Sequence, residues 1–218
     1  MVAATRRSPD RLTRFDRGER VLHWTNATLF AVMMLTALAL YVPPLSAAVG
    51  RRSTVVTIHV WAGLLLPWPI LITFALRRWG AGFRDDVRRL NRWTSDDRRW
   101  LRTLGRDPFA VKGKFNAGQK LNAAFTAGAI FMMLATGALM RWPKALPLAW
   151  RTGATFVHDW IFVALFIAIT GHVLFATNDS ESLGSMLGGT ISTRWAKRHA
   201  PGWYAEVTGA GESVTPPS

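Results

Sequence analysis

Four long apolar runs divide the chain, roughly Ala27–Val42, Val55–Leu76, Leu121–Met140 and Phe156–Ala176. With their flanks, each approaches the roughly 20 residues a helix needs to cross a hydrocarbon core of about 30 Å. Lipid offers backbone groups no hydrogen-bond partners, so the runs predict helices rather than loops or open strands. The pattern predicts an all-α membrane protein built as a four-transmembrane-helix bundle. Helix one is expected from near Arg20 to Pro43-Pro44, and helix two from near Thr54 with kinks at Pro67 and Pro69. Helix three is expected over Gly118–Met140 and helix four over Thr152–Thr177.

The polar segments differ in character. Residues 1–17 read as a mobile basic arm, 18–180 as the membrane domain, and 181–218 as a polar tail whose last part, Thr208–Ser218, is disordered. In the long central connection, 77–114, Ser95-Asp96-Asp97 predicts a capped helix start. Trp79, Trp93, Trp100, Leu101 and Leu104 alternate there with arginines. That mixture predicts an amphipathic loop lying on a membrane face. Leu45-Ser46-Ala47-Ala48 loosely resembles a cleavage site, but the apolar run before it is longer than a signal core of about 7–15 residues. The first helix is therefore expected to be retained.

Charge then sets the orientation. The 218 residues are 50% hydrophobic, yet carry a net charge of +14. Lys and Arg number six in 1–20, twelve in 77–114, one at Lys120 and three in 178–218. The other two connections hold five, Arg51, Arg52, Arg141, Lys144 and Arg151. This asymmetry follows the positive-inside rule and predicts both termini and the central loop in the cytoplasm. It also accounts for the basic surplus without nucleic acid as a partner. With no cysteine, the chain offers no disulfide, no thiolate for iron–sulfur ligation and no thioether attachment of haem.

Four of the five histidines fall in or beside the apolar runs: His23, His59, His158 and His172. Threading four helices from inside places His23 and His172 near the inner face, and His59 and His158 near the outer face. Depth alone pairs His59 with His158 and His23 with His172. On helix four the two histidines are fourteen residues apart, close to four turns, so both face one side about 21 Å apart. Paired imidazoles at two depths point to two haem groups with bis-histidine iron ligation, two haem b stacked across the bilayer. Gly63 and Gly171 leave room beside His59 and His172 for a flat macrocycle. Arg20, three residues before His23, is a candidate partner of a haem propionate. The alternatives are a haem-free membrane anchor or a transporter. A proton or metal transporter gathers acids near mid-membrane, whereas Asp159 is the one acid within a span and lies near the outer surface.

At these residues the chain resembles the gamma subunit of respiratory formate dehydrogenases, a di-haem transmembrane cytochrome b family. The likeness covers roughly residues 12–180. It rests on Arg14-Phe15-Asp16-Arg17, Glu19-Arg20, His23-Trp24, His59 with Gly63, Gly113-Lys114-Phe115-Asn116-Ala117-Gly118-Gln119-Lys120, His158 and Gly171-His172. The resemblance implies a quinone pocket formed by Asn116, Gly118 and Gln119 close to His172, with menaquinone or ubiquinone as electron acceptor. It also implies an iron–sulfur electron-transfer subunit and a molybdenum or tungsten catalytic subunit as partners, in the bacterial inner membrane. The same scaffold in another molybdenum oxidoreductase or a hydrogenase complex is the nearest alternative. On this reading the chain moves electrons and reduces quinone but is not the primary catalytic subunit.

Overall fold

The computed structural model describes residues 10–76, 79–107, 109–142 and 147–209. The first nine residues of the arm, Arg77 and Arg78, Lys144, and most of the stretch expected to be disordered, 210–218, lie outside the described residues.

Four segments are long and apolar enough to cross a membrane. They are α1 (Arg17–Tyr41), then α3 (Arg52–Leu65) continued by α4 (Pro67–Ala75), then α7 (Ala117–Arg141) and α8 (Leu148–Thr177). A short α2 (Pro43–Val49) joins the first two spans. Proline at its first position explains both the stop of α1 and the restart. Pro67 interrupts the second span in the same way. It has no N–H to offer the Gly63 carbonyl, and the Leu66 N–H bonds that carbonyl at 3.2 Å as well as Ala62 at 3.1 Å.

Small and flexible side chains set the packing. Met33 of α1 meets Ala62 and Leu66, with Phe30 and Ile130 beside them. Ala129 and Met133 of α7 meet Leu165 of α8, again with Phe30 alongside. Larger apolar side chains point outward, among them Leu35, Phe131 and Phe175, the last 81% exposed. Apolar residues facing outward on long helices suit lipid rather than water. The four-span helical membrane class expected from the sequence is the architecture observed, with one small two-stranded ribbon outside the spans.

The central connection forms α5 (Ala81–Asn91) and α6 (Ser95–Thr103). The cap of α6 is Thr94 rather than Ser95. Its hydroxyl accepts from the Asp97 N–H while Asp97 reaches back to the Thr94 N–H, a reciprocal capping box that fixes the start one residue earlier.

The ends of the chain differ from a free arm and tail. Strand β1 (Arg11–Thr13) pairs antiparallel with β2 (Thr190–Ser192), with Leu12 opposite Ile191. After α8 come α9 (Ser180–Gly188), β2, α10 (Thr193–His199) and α11 (Pro201–Thr208). Leu12, Ile191, Ala196, Ala200 and Trp203 make a small core, with Trp195 and Tyr204 against it. Burial of these few apolar side chains, scattered in an otherwise polar sequence, is what orders both ends. Gly189 makes the turn into β2 with a positive φ of 85°, and a Cβ there would stand 2.8 Å from the Phe15 carbonyl. Its own carbonyl accepts from the N–H groups of Arg14 and Phe15. Arg14 is buried against this module, bonds Ser182 Oγ at 2.9 Å and lies over the Trp195 ring. Burial draws its guanidinium down to about 10, against the opposing pull of Asp179 and Asp86.

Candidate functional site

Helices α1 and α3 supply one histidine each, and α8 supplies two. The rings that depth alone pairs lie together. His23 and His172 have centroids 6.2 Å apart with planes at 59°, and His59 and His158 are 6.4 Å apart with planes at 65°. His23 also meets the edge of Trp24, whose indole N–H donates to the Met186 carbonyl at 3.1 Å. At the other couple, Thr36 Oγ1 lies 2.8 Å from His59 Nδ1, and Thr136 Oγ1 lies 2.8 Å from His158 Nδ1.

The two couples fit an iron porphyrin. An imidazole nitrogen binds a metal at about 2.1 Å, so two rings sharing one ion across its axis have centres about 6 Å apart. Both couples match that separation. Two protein ligands suffice when a macrocycle fills the remaining positions. Among the described residues, no cluster of three or more His, Asp or Glu side chains forms a protein-only metal site. The neighbouring glycines leave space for the macrocycle. A Cβ on Gly171 would touch nothing within 4 Å, and one on Gly63 would meet only Met33 Cε at 3.9 Å.

Arg20 is placed differently from a side chain reaching for solvent. Its guanidinium donates to the Leu187 and Asp16 carbonyls, tying α1 to the end of α9. The residues expected around quinone form the start of α7. Asn116 caps the helix: its Oδ1 accepts from the Gln119 N–H at 2.9 Å, and Gln119 Oε1 accepts from the Asn116 N–H at 2.9 Å. Each side chain thereby uses its oxygen and keeps its amide NH2 as a donor. Gly118 packs against Trp100 of α6, whose Cη2 would stand 2.9 Å from a Cβ at that position. Among the described residues, no hydrogen bond joins Asn116 or Gln119 to His172.

The two lysines flanking this stretch are anchors that the sequence reading did not single out. Lys114 is buried and donates to Asp86 at 2.6 and 2.7 Å and to Glu19 at 3.3 Å. Lys120 donates to Asp97 at 2.7 Å and to the Arg92 carbonyl at 2.8 Å. Burial alone would raise the Asp97 carboxyl, but Lys120 and Thr94 outweigh it and hold the group below the usual carboxylate range. Residues 114–120 are thus clamped to α1 and α5 at one end and α6 at the other. Charged residues at both ends of the stretch were the available signal, but their partners are 23 to 95 positions away in sequence. Thr36 and Thr136 carried a weaker signal still, as single hydroxyls in apolar runs.

Known proteins are similar to this chain along most of their length. The cytochrome b556(fdo) subunit of Escherichia coli K12 formate dehydrogenase is 26% identical over 208 residues, covering 91% of this chain and 94% of that protein. The cytochrome b556(Fdn) subunit of the nitrate-inducible formate dehydrogenase of the same strain is 26% identical over 203 residues, 87% of this chain and 88% of that subunit. The formate dehydrogenase cytochrome b556 subunit of Haemophilus influenzae is 27% identical over 211 residues, 90% of this chain and 83% of that protein. A model of the prokaryotic cytochrome b561 family matches residues 14–189, a stretch that holds all four spans and all four paired histidines, and the chain belongs to that family.

Proposed function

We propose that this chain is the membrane cytochrome b subunit of a formate dehydrogenase complex, passing electrons from an iron–sulfur partner subunit across the membrane to quinone. As a prokaryotic cytochrome b561 it is an integral protein of the bacterial inner membrane and binds haem b. The observation that carries the fuller reading is the pair of opposed imidazole couples, 6.2 and 6.4 Å between ring centres. Likeness to three formate dehydrogenase subunits over most of their length supports the choice of complex, and the catalytic partner proposed with it is a molybdenum or tungsten subunit.

Haem bound at each couple supplies a reversible one-electron carrier. The protein's own part is to hold the two positions apart and in line. His158 and His172 stand on one helix, α8, so a single rigid element fixes their separation at about 21 Å. His59 and His23 complete the couples from α3 and α1. The amide NH2 groups of Asn116 and Gln119 donate to a quinone carbonyl without adding fixed charge, and Gly118 lets this turn pack closely on Trp100. Arg20, whose guanidinium ties α1 to α9 through the Asp16 and Leu187 carbonyls, offers its remaining N–H groups to a propionate near the inner couple. Both termini and the α5–α6 connection face the cytoplasm, in keeping with the charge asymmetry.

Haem per chain tests the proposal. The purified protein should contain two haem b. His59→Ala or His158→Ala should remove one, and His23→Ala or His172→Ala the other. A single haem in the wild type, or loss of the same haem in His23→Ala and His59→Ala, would overturn the pairing. Co-purification should bring down a catalytic subunit active on formate; a hydrogenase or another molybdenum enzyme in its place would reassign the donor and leave the haem sites standing.

A further inference from the structure

We infer that Thr36 and Thr136 are positioning residues for the outer histidine couple, fixing the ring protons of His59 and His158 on Nδ1 and holding the redox potential of that site down. The inference rests on the haem reading above.

The geometry is repeated on two unrelated helix pairs. Thr36 of α1 stands 2.8 Å from His59 Nδ1 on α3, and Thr136 of α7 stands 2.8 Å from His158 Nδ1 on α8. Each hydroxyl also approaches a carbonyl of the preceding turn. Thr36 donates to Val32 at 2.8 Å, and Thr136 donates to Met132 at 2.7 Å. A hydroxyl has one hydrogen. With that hydrogen given to the backbone, the oxygen can only accept from the ring. Nδ1 therefore carries the proton, and Nε2 keeps its lone pair for iron. The donor–acceptor chain runs from imidazole to hydroxyl to backbone carbonyl on both sides of the couple.

Such an acceptor does more than aim the ring. A ligand imidazole that donates its other N–H is a stronger base. A more basic ligand favours ferric over ferrous iron and lowers the potential. His23 and His172 lack this arrangement: among the described residues no hydroxyl or carboxylate bonds either ring. The device is thus confined to the outer couple, where it favours electron departure toward the inner one.

Potentiometric titration of the haem absorption, in the intact complex, tests this. Thr36→Val and Thr136→Val keep the shape and remove the hydroxyl, whereas Thr36→Ser and Thr136→Ser keep the hydroxyl. In the double valine variant both haems should remain. One of the two titration waves, the one absent from His158→Ala, should move positive by about tenfold in the oxidised-to-reduced ratio, about 59 mV for one electron. The other wave should stay, and the double serine variant should restore the first. Loss of the outer haem in the valine variant alone would also support the role. An unmoved outer wave with both haems bound, or an equal change in the valine and serine variants, would overturn it. A wild type without haem would instead sink the reading beneath it.

Discussion

Asn116 caps α7 with its side-chain oxygen, and the proposed quinone contact uses its amide nitrogen. Asn116→Asp separates the two, because aspartate caps a helix as well as asparagine but has no NH2 to donate. This variant should melt with the wild type and reduce quinone roughly three- to tenfold more slowly, the worth of one hydrogen bond. Asn116→Leu should lose both, with about 1 kcal/mol of stability. A thermal melt and a quinone-reduction assay on the intact complex separate the outcomes, and wild-type turnover in Asn116→Asp would remove this residue from the pocket. Residues of this kind differ in how far the sequence exposes them. Alternating helix direction is enough to set the histidines at two depths and bring them into couples. Thr36 and Thr136 are hidden because a threonine in an apolar run can bond the carbonyl one turn back and so reads as neutral packing.

At the scale of elements, the connection between the second and third spans is held by pairs of distant charges. Asp97 of α6 grips Lys120 of α7, and both are nearly buried. Its carboxyl lies below the ordinary value of about 3.9. A carboxyl lowered by folding adds stability above that ordinary value, and the contribution disappears as pH falls through the lowered one. Asp97→Asn should therefore cost about 1–3 kcal/mol at neutral pH, as buried Lys120 loses its charged acceptor. The gap from wild type should begin to narrow below about pH 4 and shrink further as pH falls. Melting curves of the two proteins in detergent between pH 7 and 3 check this; a constant gap would show that the pair is not what titrates. The helices themselves are legible from apolar length and from proline. The partners of Lys114 and Lys120 are not, because ion pairs across long sequence separations leave no local pattern.

The whole molecule can be oriented with a single thiol, since the chain has no cysteine. Ser53 is exposed at the start of α3, at the end of the bundle holding His59 and His158. Ser53→Cys should react with a membrane-impermeant maleimide applied to the periplasmic face of intact spheroplasts; labelling only after lysis would invert the proposed topology. Beyond the spans, the polar composition of 181–218 conceals a folded stretch that runs through α11. Its apolar residues are few, and their shared partner, Leu12, is at the other terminus. That partnership has a consequence for truncation. Arg11 faces Ser192, and the Thr193 N–H donates to the Asp10 carbonyl, so the start of β1 is fastened to the start of α10. Cutting the chain before Thr13 would leave β2 without its partner strand and open Ile191 and Trp203, nearly two hundred positions along the sequence, to solvent.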